Sequence, residues 1–130
     1  MKPIHLAALL IIALYVVAGP RLLPTTSDWR TELLHDLGND KPTTPTLNFL
    51  QAWARAEGSS PECHNPLNTT RNVGNYTVIN SHGVKCYETA NEGRQATVET
   101  LRLSYPGYPE LLAGLTNNDV SLAMDGLASS

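Results

Sequence analysis

The sequence predicts a mainly α fold, about five helices with one small β-hairpin, and three observations carry that expectation. Apolar residues recur at helical spacing in five segments that begin with capping residues. The β-type runs, 76–79 and 84–87, are short and separated by Asn80-Ser81-His82-Gly83, a hairpin arrangement. Gly or Pro closes most of the periodic stretches. The length of 130 residues suits one modest domain.

Along the chain, a first helix is expected over 28–37. Ser27 caps it, Trp29, Leu33, Leu34 and Leu37 share a face, and Gly38 stops it. Residues 39–46 connect it to a second helix opening at Thr44-Pro45, an N-cap followed by proline at the first helical position. That helix runs to Glu57 with Leu47, Leu50, Trp53 and Ala54 on one side, and Gly58 supplies its C-terminal stop. Residues 59–75 show neither period and are rich in Ser, Asn, Pro and Thr; loops of this length in compact domains are commonly functional. Beyond the hairpin, Thr89-Ala90-Asn91-Glu92 matches a capping box and opens a helix carrying Ala96, Val98, Leu101 and Tyr105 up to Pro106. Short helices over 109–115 and 118–124 complete the domain, and the Ala-Ser-Ser tail is expected to fray.

The N-terminus has a different character. Residues 6–19, LAALLIIALYVVAG, form an uncharged run behind Lys2 and the free amine, the layout of a secretory signal. As a helix the run spans about 21 Å, short against a hydrocarbon core of about 30 Å. Val16-Val17-Ala18 offers a cleavage site, whereas Pro20 disfavours a cut after Gly19. The expected organisation is therefore a signal peptide or short signal-anchor over 1–19, a linker and short helix over 20–45, and the main domain over 46–130. Export to the cell envelope follows, secreted or anchored; the membrane is a partner where the segment is retained.

Lys2 is the only charged residue before Arg21, so residues 21–130 hold 8 basic and 12 acidic residues and a net charge of -4. The basic residues are scattered singly, which argues against nucleic acid as a partner. Cys63 and Cys86 are the two cysteines, with no Cys-x-x-Cys. An exported pair of this kind favours a disulfide. Free thiols and a metal site from Cys63, His64, His82 and Cys86 are the alternatives, the latter opposed by the adjacency of Cys63 and His64. The chain lacks a phosphate-binding Gly-rich loop, His-Glu-x-x-His and Gly-x-Ser-x-Gly, and no cofactor is expected.

Glu57 ends its helix in Trp53-Ala54-Arg55-Ala56-Glu57-Gly58. A carboxylate there meets the negative end of the helix dipole, and an apolar neighbour such as Trp53 desolvates it; both favour the protonated acid. A general acid in glycoside cleavage needs that property near neutral pH. After Glu57-Gly58 come Asn65-Pro66-Leu67-Asn68-Thr69-Thr70, the hairpin, Gly83-Val84-Lys85-Cys86-Tyr87, and Glu92-Gly93-Arg94-Gln95-Ala96-Thr97-Val98-Glu99-Thr100-Leu101.

This ordered series, over about residues 45–115, resembles the lysozyme-like domains of bacteriophages and exported bacterial wall enzymes. In layout it is similar to the glucosaminidase and lytic transglycosylase branch. The resemblance implies a mainly α, lysozyme-like fold whose hairpin lies beside a cleft for peptidoglycan glycan strands. Carried over by position, it implies Glu57 as the catalytic acid and Asn65, Asn68, Thr69 and Thr70 as a cleft wall. Amide and hydroxyl groups there would match sugar hydroxyls and N-acetyl groups. Tyr76 and Tyr87 are candidates for flat faces under a sugar ring, with hairpin packing as their other role. Glu62, Glu88 and Glu92 are the available second carboxylates; the capping box explains Glu92 and an exposed loop Glu62, leaving Glu88 as the least poor. The expected function is an exported peptidoglycan-cleaving glycosidase of phage or prophage type. The alternative is a non-catalytic lysozyme-like module that binds glycan or another envelope component.

Overall fold

The computed structural model describes residues 28–130; the signal or anchor expected over 1–19 and linker residues 20–27 lie outside the described residues. Within that range, the chain forms helices α1 (Trp29–Asp36), α2 (Thr44–Glu57), α3 (Ala90–Leu101), α4 (Tyr108–Thr116) and α5 (Val120–Ser129) and a two-stranded hairpin. Strands β1 (Tyr76–Val78) and β2 (Lys85–Tyr87) pair antiparallel, Tyr76 opposite Tyr87 and Val78 opposite Lys85. A single 3₁₀ turn, Pro61–Cys63, follows α2. The architecture is mainly α with a small β part, as the capping and periodicity predicted. None of the helices among the described residues is long and apolar enough to cross a membrane.

The central element is α2. Its residues 46–50 and 52–54 are all buried, with Phe49 and Trp53 completely enclosed. A helix buried on so much of its surface is a core helix, and α1, α3, α4 and α5 supply Leu33, Leu34, Leu101, Leu111, Leu115 and Leu127 around it. Val73, Tyr87 and Ala96 form a smaller second cluster beneath the hairpin. The α4–α5 pair packs closely because small residues face each other: Gly114 lies on the Ala123 backbone and Gly126 on Gly107 and Leu111.

Several element ends differ from expectation for identifiable reasons. Asp28, not Ser27, caps α1, its carboxylate accepting from the Arg30 backbone N–H at 2.9 Å and from the Arg30 guanidinium. Thr43 occupies the N-cap of α2, placing Pro45 inside the first turn, where its missing N–H costs nothing. The third helix stops at Leu101, so Tyr105 lies in an exposed connector and not on a core face. The last helix extends beyond its expected end at 124: Asp119 caps α5 by accepting from Leu122 N–H at 3.0 Å, and the helix continues to Ser129.

Cys63 and Cys86 are joined by a disulfide with an S–S distance of 2.08 Å. The bond closes the loop after α2 onto β2 and removes both the free-thiol and the metal alternatives for these residues. No group of three His, Cys, Asp or Glu side chains able to hold a metal occurs among the described residues.

Candidate functional site

Glu57 sits in the last turn of α2, four residues after Trp53, so the two side chains share one face of the helix. The Trp53 indole Nε1–H donates to Glu57 Oε1 at 3.2 Å. Gly58 then takes a left-handed conformation, φ 64°, which turns the chain out of the helix. After the 3₁₀ turn the chain returns, and Asn68 comes back over the end of α2 with φ 55°, a conformation that asparagine tolerates better than most residues. Its amide Nδ2–H donates to the Glu57 backbone carbonyl at 2.8 Å and to carboxylate Oε2 at 3.4 Å. Two donors from different parts of the chain thus hold the half-exposed carboxylate in one orientation.

Neighbouring parts of the loop are fixed from the inside. Asn65 is buried, donating to the carbonyls of Thr69 at 2.9 Å and Lys85 at 2.7 Å while accepting from the Thr69 N–H at 2.8 Å. Thr69 is also buried, its hydroxyl bonded to that of Thr100 on α3. Tyr87 is buried in the second cluster, donates to the Arg71 carbonyl at 2.5 Å, and has its phenol pushed up to about 12, first of all by burial. Asn65 and Thr69, expected to face substrate, therefore turn inward, and Tyr87 takes its other expected role, hairpin packing. Each satisfies backbone groups that would otherwise be buried unpaired, which explains why polar side chains occupy these positions.

The other expected wall residues separate. Asn68 stands at the carboxylate and Thr70 is exposed two residues further on. Tyr76 stays with the hairpin, edge-on to Tyr87 at 6.3 Å between ring centroids, with Lys85 Nζ 5.1 Å from its ring centroid. A polar hollow of about 340 Å³ lies beside Thr70, lined by Arg71, Asn72, Thr100, Leu103 and Tyr105. Tyr105 meets Tyr108 edge-to-face at 5.5 Å. The Tyr108 phenol is pushed up to about 12 by burial, then by Tyr105 and by the nearby Glu57 charge. Tyr105 thus links the hollow, which it lines, to Tyr108.

Arg71, Asn72, Tyr105 and Tyr108 were not singled out from the sequence. Assigning Tyr105 to a helix face hid it; Pro106-Gly107 immediately after it marks the connector that exposes it.

The second carboxylates have other partners. Glu92 completes the capping box with Thr89 and also accepts from the Asn75 N–H at 3.1 Å, bonds that hold its carboxyl below the usual range. Glu62 is bonded to the Ser60 hydroxyl, which likewise lowers it. Glu88 is exposed after β2, where only its backbone N–H is used, donating to the Asn75 carbonyl at 3.0 Å.

A larger, mostly apolar groove of about 540 Å³ opens on another face of α2, between Trp29, Leu33, Ala54, Pro61 and Pro66. Ala54 and Gly58 line it, one step around the helix from Trp53 and Glu57. The acidic side chain lining that groove, Glu32, is engaged by Arg94 at 2.9 Å. Size favours the groove; the polar lining of the smaller hollow favours a hydroxyl-rich ligand. No known protein family, curated protein or solved structure matches the chain.

Proposed function

We propose that the protein is an exported glycosidase of lysozyme type that cleaves peptidoglycan with Glu57 as its general acid, in lysis or opening of the wall. The observation that supports this most directly is the orientation of Glu57 at the end of α2, its carboxylate held by Trp53 and Asn68. The resemblance of residues 45–115 to lysozyme-like wall enzymes supplies the substrate class. In this mechanism the Glu57 carboxyl protonates the departing glycosidic oxygen as positive charge develops on the sugar ring. Water, or an oxygen of the sugar itself, then closes the reaction at the anomeric carbon. The Thr70 hydroxyl and the Asn72 amide in the hollow offer donors and acceptors for sugar hydroxyl and N-acetyl groups.

The measurement is release of soluble muropeptides from purified cell wall, followed by mass analysis, which also names the bond that is cut. Glu57→Gln keeps the shape of the site and one acceptor oxygen while removing the acid proton. It is expected to lower release by about 10²- to 10⁴-fold, the usual contribution of a positioned acid. Equal release by the variant rejects the mechanism.

The engagement of Glu62 and Glu92 elsewhere favours one other reading, a lysozyme-like module that binds glycan or an envelope component without cutting. Retention on cell wall without any cleavage product decides for it.

A further inference from the structure

Within an acidic domain, the hollow beside Thr70 presents one basic side chain, Arg71, among its lining residues. Its place is built from below. The Arg71 N–H donates to the Thr69 hydroxyl at 3.3 Å and its carbonyl accepts from Tyr87 at 2.5 Å, while Thr69 is itself bonded to Thr100 on α3. The guanidinium is less committed. Its acidic neighbour is Glu99, Nη2 to Oε2 3.6 Å, with both side chains substantially exposed, 43% and 38%. A solvent-screened pair of that length contributes little, and a carboxylate approaching in the plane of the guanidinium fork makes a better acceptor. Across the hollow Tyr105, 56% exposed, offers a flat aromatic face.

Neutral sugars are satisfied by hydroxyls, amides and an aromatic face. An arginine is the one component of this hollow that they do not require.

We infer that Arg71 makes the hollow selective for glycan carrying a carboxylate substituent, with the sugar ring over Tyr105 and the acid on the guanidinium. This rests on the peptidoglycan reading, in which alternate sugars bear an acidic lactyl-peptide arm, and separates that polymer from neutral N-acetylglucosamine chains. Glu99 then acts as a placeholder that the ligand's carboxylate displaces.

Binding to the purified protein, measured by calorimetry or chemical-shift titration, tests the inference without any cleavage being read. The probes are muramyl dipeptide, which is acidic, and chitotetraose, which is neutral. Arg71→Gln is expected to weaken muramyl dipeptide by about tenfold, the loss of one charge-assisted contact, and to leave chitotetraose unchanged. Glu99→Gln, which frees the guanidinium, is expected to tighten muramyl dipeptide. Equal weakening of both probes by Arg71→Gln, weaker acidic binding in Glu99→Gln, or no binding of muramyl dipeptide to the parent protein overturns it. Because these titrations read binding while the Glu57→Gln comparison reads release of muropeptides, failure of the catalytic reading and failure of this one give different results.

Discussion

Glu57 illustrates how one carboxylate is aimed by residues far apart in sequence. Trp53 donates from the same helix, whereas Asn68 reaches it across eleven residues. The left-handed backbone of Asn68 makes its two functions separable. Asn68→Gly keeps the conformation free of strain and removes the amide, so wall cleavage should lose about tenfold in kcat, the worth of about one hydrogen bond, with KM nearly unchanged and a small loss of stability from the missing bond to the Glu57 carbonyl. Asn68→Ala should lose the same activity and also about 1 kcal/mol or more of stability in urea unfolding, because a Cβ disfavours φ 55°. Activity equal to the parent in both variants removes the positioning role. Glu57 could be singled out in the sequence from its helix-terminal place. Its Asn68 partner could be named but not given the right task, since a side chain that grips protein and one that grips sugar have the same composition.

At the scale of elements, the disulfide and the α4–α5 packing carry the clearest consequences. The Cys63–Cys86 bond cross-links positions 23 residues apart and joins the loop bearing Asn68 to β2. Reduction should raise the intact mass by two hydrogens and cost about 3 kcal/mol on the chain-entropy view, seen as a lower urea midpoint. An unchanged midpoint after complete reduction contradicts that. In the helical pair, a Cβ on Gly114 would meet the Ala123 backbone nitrogen at 2.4 Å, a contact that a rigid backbone cannot relieve by a rotamer change. Gly114→Ala should therefore destabilise by about 1–3 kcal/mol, despite alanine's higher helix propensity. A stabilised variant would show that the pair can slide apart. The capping box at Thr89–Glu92 was legible because all its partners lie within one turn. The end of α3 was less so: Pro106 marks where a helix must have stopped, but not that it stops already at Leu101.

For the whole molecule, Asn118 ties distant parts together. Its side-chain oxygen accepts from Asn39 and from Thr43 N–H and Thr46 hydroxyl, each at 3.0 Å, while its amide donates to the Lys41 carbonyl at 3.1 Å. The α4–α5 turn is thereby fastened to the α1–α2 connector, a closure spanning more than seventy residues. Stability should be limited on both sides of the pH scale. Arg30 holds the Asp28 carboxyl below its ordinary 3.8, so its stabilisation is present above that value and is lost as pH falls through the lowered folded value. Asp28→Asn should flatten that acid limb. Burial raises the Tyr87 and Tyr108 phenols from 10.0 to about 12 in the folded chain, so stability is full below pH 10 and falls as pH rises towards about 12. Thermal unfolding recorded against pH checks both limbs; a flat profile between pH 10 and 12 would mean that neither phenol stays protected.

What the sequence determined by itself was local: helices marked by period and caps, a short hairpin marked by its turn, a helix-terminal Glu57, and a cysteine pair consistent with a bridge. These signals act within a few residues, through backbone hydrogen bonds and apolar spacing. Tertiary structure alone decided which polar residues of 65–70 turn inward, that Tyr105 and Arg71 share a hollow, and that Asn118 closes the fold. A buried amide and an exposed one are chemically identical in sequence. Which backbone groups they must satisfy is set only when distant segments pack.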